Sequence, residues 1–222
     1  MKRLALFDLD HTLLPIDSDY EWGCFLGRIG IVDADDFLSR NHGYAQQYKA
    51  GTLDVLEFLA FSLGLIANRP AAQIEAWRRQ YMEEVIAPAI TPQAKALVNE
   101  HLAQGALCAL VTATNTFVTA PIADAFGIDH LIGSEAEQLD GVYTGRPHGT
   151  PSFREGKVSR TQDWLASLDK TWRDFDEVWF YSDSSNDIPL LEHATHPVAT
   201  NPDPGLLALA RKRQWPVLEL FA

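Results

Sequence analysis

The stretch Leu4 to Leu14, LALFDLDHTLL, limits what this chain can fold into more than any other. Four apolar residues (Leu4, Ala5, Leu6, Phe7) stop abruptly at Asp8, and Asp10 follows one residue later. A short unbroken apolar run reads as a strand covered on both faces, and such strands belong to parallel sheets whose connections are helices. Asp8 then stands at the carboxyl end of the strand, the edge where open α/β sheets hold their ligands. If the backbone stays extended, Asp8 and Asp10 point to the same side. Two carboxylates held that close repel each other, and a hard divalent cation with oxygen ligands relieves the repulsion. A strand that merely ends in a polar turn has the same local sequence, so the downstream segments must decide.

The chain has 222 residues, enough for one core or for a core domain carrying an insertion. Thirty acids against eighteen bases give a formal charge of −12, which argues against a general nucleic-acid or anionic-membrane surface. In such a field a dianionic substrate needs a local metal or lysine. Cys24 and Cys108 sit in apolar segments far apart, as two buried thiols would, and cytoplasm is the expected compartment. The amino terminus meets acids too early for a signal peptide, and no apolar run approaches the length of a membrane span.

After Leu14, Pro15-Ile16-Asp17-Ser18 makes a break, with Asp17 or Ser18 as a helix N-cap. Helical patterning then runs from Asp19 to about Ala87: Trp22, Phe25, Leu26 and Ile29 recur at three and four, and Gly30 ends the first helix. Helices are predicted over Phe37–Tyr48, Leu53–Leu65 and Ala71–Val85, with no strand among them. From Thr91 the pattern alternates. Helices are expected at Ala94–Gln104, Thr114–Phe126, Val158–Leu168, Asn186–His193 and Gly205–Lys212. Strands are expected at Ala106–Val111, Leu131–Ile132, Val178–Tyr181, Pro197–Ala199 and Pro216–Leu220. A hairpin over Glu135–Thr144 turns at Asp140-Gly141. The expected fold is α/β: a Rossmann-like parallel sheet with helices on both faces, from residues 1–14 and 90–222, and an all-helical insert, 15–89, after the first strand.

Polar groups recur at the predicted strand ends. Besides Asp8-x-Asp10 there is Thr112, closing ALCALVT, with a helix expected to begin just beyond and its first amides available to an anion. Lys157 opens a helix, where the dipole disfavours a cation. Asp183 and Asp187 follow the strand VWFY four residues apart, in SDSSNDIPLL. Each alone is compatible with capping or a solvated surface; together they make one rim of acid, hydroxyl and ammonium groups.

That set resembles the haloacid dehalogenase superfamily of phosphohydrolases. Its first motif, hhhhDxDxT, is matched by LALFDLDHT, and its second by LVT at Leu110 to Thr112. Its third is a lysine, here Lys157, and its fourth, DxxxD, is matched by Asp183 to Asp187. The helical insert and the wording SDSSNDIPLL are similar to the phosphoserine-phosphatase-like members with a small helical cap. The resemblance implies a Mg²⁺-dependent phosphatase acting on a small phosphomonoester through an aspartyl-phosphate on Asp8. In that scheme Asp10 is general acid and base, and Mg²⁺ is held by Asp8, Asp183 and the backbone carbonyl of Asp10. Thr112, the Ala113 N–H and Lys157 bind the phosphoryl oxygens, Asn186 meets the substrate, and Asp187 orients Lys157 or a metal-bound water.

Two positions depart from the pattern. The family's hinge glutamate, which meets a substrate amine, is the shorter Asp17 here, and the place of its carboxylate-binding arginine falls on Ser62. Without a guanidinium there, a substrate carboxylate has no obvious bidentate donor. Asp17, Glu21 and Trp22 are expected at the hinge, where an acid suits an amine-bearing phosphate such as histidinol phosphate. A phosphotransferase or mutase would use the same intermediate. A phosphoaccepting receiver module also combines acids, Thr and Lys, but has about half this length and no helical insert.

Overall fold

The structure, a computed structural model, describes residues 1–221; Ala222, the last residue of the expected core range, lies outside them. Strand β1 (Arg3–Phe7) leads directly into helices α1 (Ser18–Arg28), α2 (Ala34–Ala50), α3 (Val55–Gly64) and α4 (Ala71–Tyr81). A π-helical turn, Met82–Ile86, and the short α5 (Ala87–Ala89) close this helical segment. Then come α6 (Pro92–Ala103), β2 (Leu107–Asn115), α7 (Thr116–Phe126), β3 (His130–Leu139), β4 (Val142–His148) and α8 (Glu155–Ser167). The chain finishes with β5 (Glu177–Ser182), α9 (Ile188–Leu191), β6 (His196–Thr200), α10 (Pro204–Arg213) and β7 (Val217–Leu218).

The strands form one sheet in the order β4-β3-β2-β1-β5-β6-β7, parallel throughout except for β3 with β4. β1 lies at its centre: Phe7 is opposite Leu110 on one side and Tyr181 on the other. The strand's alternation divides its residues between two cores. Ala5 and Phe7 face one that includes Val98, Phe117, Phe126, Trp22 and Tyr81; Leu4 and Leu6 face another with Leu165, Phe180, Leu191 and Leu206. Each such large side chain contributes roughly 1.5–3 kcal/mol by leaving water, and covering both faces is why LALF carries no polar residue. The fold is the expected Rossmann-like α/β arrangement.

Several boundaries differ from expectation, each for a local reason. β2 runs on to Asn115, with its register against β3 shifting between Val111 and Asn115. The following helix therefore starts at Thr116, not Thr114, because the Asn115 side chain caps it by accepting from the Val118 amide. Leu131–Ile132 belongs to one long strand, β3, whose first part pairs with β2 and whose second part makes the hairpin with β4. The hairpin turns at Asp140 (φ 52°) and Gly141 (φ 77°), the two left-handed residues a tight two-residue turn needs. The helix expected to reach Val85 widens to a π turn after Tyr81, and the one expected over Asn186–His193 shrinks to α9 behind a 3-10 turn. Of the two offered caps for α1, Asp17 takes the position, accepting from the Asp19 and Tyr20 amides. Among the described residues, no helix is long and apolar enough to cross a membrane.

Candidate active site

The carboxyl ends of β1, β2 and β5 meet at one place because their registers are aligned. The Asp8 amide donates to the Tyr181 carbonyl at 2.9 Å, which carries the ladder one residue past β1 and sets Asp8 beside the end of β5. Lys157 comes in from α8, its side chain 3 % exposed. Its ammonium donates to Asp8 Oδ1 at 2.7 Å and to Asp187 Oδ2 at 2.6 Å. Burial pulls this lysine's pKa down, but the two carboxylates outweigh it, and the group stays charged with a pKa above the ordinary lysine value. Ser182 holds the same Asp187 oxygen at 2.7 Å. A lysine near the start of a helix, disfavoured by the dipole, is thus compensated by two acids rather than by water.

Thr12 joins the segments that follow β1 and β5. Its hydroxyl lies 3.0 Å from Asp8 Oδ2 and 3.3 Å from Asp183 Oδ1, and it accepts from the Asp183 amide at 3.0 Å. Asp183 meets no cation among the described residues; burial, then the charges of Asp8 and Asp187, push its pKa up to about 9. A carboxylate that unstable in ionised form beside a second one is a donor set short of positive charge. Among the described residues no three acid, histidine or cysteine side chains group as a metal centre. Two carboxylates are nevertheless what Mg²⁺ takes, since it keeps several waters and uses one or two protein carboxylates. The residues present fit that ion.

Asp10 turns the other way. One of its oxygens accepts from the Ser18 amide at 2.6 Å and the other from the Thr114 hydroxyl at 2.8 Å. Both oxygens are occupied on the hinge side, so of Asp10 only the main-chain carbonyl remains for a metal. Burial and the charge of Asp17 raise its pKa to about 6 against those hydrogen bonds. Thr112 is buried, and its oxygen accepts from the Thr114 amide at 3.1 Å, which leaves its hydroxyl hydrogen free to donate. Ala113 stands within β2, not at a helix start as expected from sequence; its carbonyl accepts from Ser134 at 2.8 Å.

The remaining expected residues spread outward. Asn186, in the 3-10 turn after β5, accepts from Arg154 Nε at 2.8 Å. Asp17 caps α1 through one oxygen and lines a cavity of about 610 Å³ with His11, Tyr20, Glu21, Asn41 and His42. Among the described residues, no lysine or arginine lines that cavity. Trp22, expected at the hinge with Asp17, is 1 % exposed and packs against Phe25, Tyr81 and Phe117 instead. Ser62 is buried and donates to Asp19 at 2.7 Å. Sequence reasoning passed over Arg154, and took Ser18 only as a possible helix cap and Thr114 only as a helix start. Thr12 was within its reach, as the threonine closing DxDxT.

A family model of haloacid dehalogenase-like hydrolases matches residues 5–192. The chain belongs to this family. Within it, a Neisseria meningitidis protein called histidinol-phosphatase is 41% identical over 98% of this chain and 99% of its own length. A Mycobacterium tuberculosis phosphoserine phosphatase is 31% identical over 96% of this chain and 69% of its own. A Bordetella pertussis protein of unknown function has a crystal structure 53% identical in sequence, with a TM-score of 0.95 over the whole of both chains. A substrate-bound phosphoserine phosphatase, 19% identical, shares the fold with a TM-score of 0.66 over 99% of this chain and 93% of that one. This haloacid dehalogenase-like hydrolase therefore has relatives named for two different phosphate esters, and the residues around Asp17 bear on the choice.

Proposed function

We propose that this hydrolase is a Mg²⁺-dependent phosphatase acting on a small phosphomonoester whose leaving group carries an amine, through an aspartyl-phosphate on Asp8. The observation that carries the substrate class is the charge of the cavity beside the hinge: Asp17 and Glu21 line it, and among the described residues no lysine or arginine does. A cationic leaving group is stabilised there, and a carboxylate finds no ammonium or guanidinium partner among the lining residues. Ser62, at the place of the family's carboxylate-binding arginine, is spent on Asp19. The relative named histidinol-phosphatase supports an amino alcohol phosphate of that kind.

In this reading residues 15–89 are a cap and residues 1–14 and 90–222 the core. Asp8 attacks phosphorus, its carboxylate aimed by Lys157 and the Thr12 hydroxyl. Asp8, Asp183 and the main-chain carbonyl of Asp10 would hold Mg²⁺, which would supply charge neutralisation for the incoming dianion. Thr112 donates its free hydroxyl hydrogen to a phosphoryl oxygen, alongside the Ala113 N–H and Lys157. Asp10, with a pKa of about 6, holds a proton for the leaving alkoxide and afterwards takes one from water. Asp187 keeps Lys157 in place. Asn186 offers its amide nitrogen to the substrate. The free thiols Cys24 and Cys108 are consistent with cytoplasm.

Steady-state kinetics on histidinol phosphate, phosphoserine and simple alkyl phosphates, with Mg²⁺ and with excess chelator, test this. Histidinol phosphate is expected to exceed phosphoserine in kcat/KM by about ten- to a hundredfold, one charge-assisted contact being worth roughly 1.5–3 kcal/mol. Phosphoserine as the best substrate would sink the substrate class. Full activity in excess chelator would sink the metal.

A further inference from the structure

Arg154 stands three residues before Lys157, as the N-cap of α8, with φ 52° and ψ −122°. A residue with a Cβ adopts that conformation only where its surroundings impose it. The usual reward of an N-cap is absent, because no side-chain hydrogen bond caps this helix. The guanidinium makes no ion pair among the described residues, unlike Arg3, Arg28, Arg78, Arg160 and Arg213 in the same acidic chain. It spends its donors on neutral acceptors in two different parts of the fold. Nε donates to Asn186 Oδ1 at 2.8 Å and Nη2 to the Gly51 carbonyl at 3.2 Å, with the group 5.0 Å over the Phe153 ring.

Both acceptors have a meaning. Gly51 is the left-handed C-cap of α2, where carbonyls lack helical partners and the dipole is negative, so a cation is stabilised there. Asn186 is fixed end for end: an N–H donor requires its oxygen, which turns the amide nitrogen towards Ser184 Oγ, 3.5 Å away, and the Tyr48 hydroxyl. A second link runs alongside. Tyr48, in the last turn of α2, shares a hydrogen bond with Ser184 Oγ at 2.7 Å, and that oxygen accepts from the Asn186 amide at 3.2 Å. The end of α2 therefore touches the loop after β5 through two polar links that meet at Asn186.

We propose that Arg154 is a positioning residue, a clasp that seats the end of α2 on the core and with the same fork presents the Asn186 amide nitrogen to the substrate. Closing the helical segment and completing the binding site become one event. The inference rests on the phosphatase reading for its kinetic arm alone.

Arg154→Gln puts another residue with a Cβ at the same backbone position, so no glycine-like freedom is added, and removes the fork. Arg154→Lys keeps the cation but cannot span both acceptors. With the best phosphomonoester of the panel, Arg154→Gln is expected to raise KM about tenfold and change kcat less than about threefold, the signature of a smaller binding-competent population. Arg154→Lys is expected in between. In an Asn186→Ala background the same substitution is expected to cost clearly less, because one of its two arms is already gone. Independently of any substrate, trypsin is expected to cut after Lys49 about tenfold faster in Arg154→Gln at an unchanged melting temperature. Equal costs in both backgrounds, a lysine variant matching wild type, or unchanged KM with unchanged trypsin sensitivity would overturn the clasp. If no phosphomonoester were turned over at all, the phosphatase reading would fall, while the trypsin result would still decide the clasp.

Discussion

Lys157 enters one buried group of acids in this protein, and among the described residues no cation enters the other. Around Asp8 and Asp187 the ammonium lies within 2.7 Å of both carboxylates; burial raises the Asp187 pKa to about 6, and the ammonium opposes that rise. Across Asp10, towards the hinge, Asp19 is just as buried but meets only neutral donors: the Ser62 hydroxyl at 2.7 Å and the Asn115 amide at 3.0 Å. Burial, then the neighbouring charges of Asp17 and Asp10, raise its pKa to about 7 against those hydrogen bonds. A buried acid must be paired or take up a proton. The first group is paired with an ammonium. The second ties α1, α3 and the cap of α7 together and tolerates neutralisation.

The largest effect should come from removing the cation. Lys157→Met leaves two buried carboxylates facing each other and is expected to cost about 3–5 kcal/mol in urea denaturation, besides abolishing turnover. A loss under about 1 kcal/mol would mean that the acids there neutralise as easily as Asp19.

Next comes the pH dependence of the second group. Because the folded protein holds the Asp19 proton more tightly than the unfolded chain, the stability it confers is complete below pH 3.8 and is lost as pH rises to about 7. The total is up to roughly 4 kcal/mol. Asp19→Asn mimics the protonated form and should flatten that part of the slope in denaturation at pH 5 and pH 8. An unchanged slope would assign it to other acids.

Mg²⁺ should separate the groups by ligand linkage. At a hundredfold over its Kd it adds about 2.7 kcal/mol, measurable as a shift in melting temperature. Asp183→Asn should lose that gain and Asp19→Asn keep it. The smallest effect is expected from Ser62→Ala, which should cost about 1 kcal/mol more at pH 8 than at pH 5, since a hydrogen bond to an ionised group is worth more.

This difference between the groups was only half legible in the sequence. Asp8, Asp10 and Asp183 could be found because apolar runs end at or near them, and a polar residue at a buried strand's end is conspicuous; Lys157 stood out because a cation opening a helix runs against the dipole. Asp19 offered no such signal: an acid in the first turn of a helix reads as a dipole partner, and Ser62 and Asn115 lie 43 and 96 residues away. The tail of β2 was missed for another reason. Thr112-Ala113-Thr114-Asn115 has β-branched residues that suit a strand and hydroxyl and amide groups that suit a cap, and only pairing with β3 resolves it. Trp22 was misplaced because proximity in sequence to Asp17 says nothing about which side of α1 it occupies. The hairpin at Asp140-Gly141 needed no tertiary information, since the turn chemistry is local.

The central position of β1 has a consequence for the chain while it is being made. Arg3 pairs with Glu177 across 174 residues. At about 5–20 residues per second, roughly 10–35 s separate the ribosome's delivery of LALF from that of its second neighbour. Through that interval the central strand of the sheet has an open edge. The helices of residues 18–89 emerge first and are formed largely from local contacts, so they are the nearest cover for that edge until β2 and then β5 arrive.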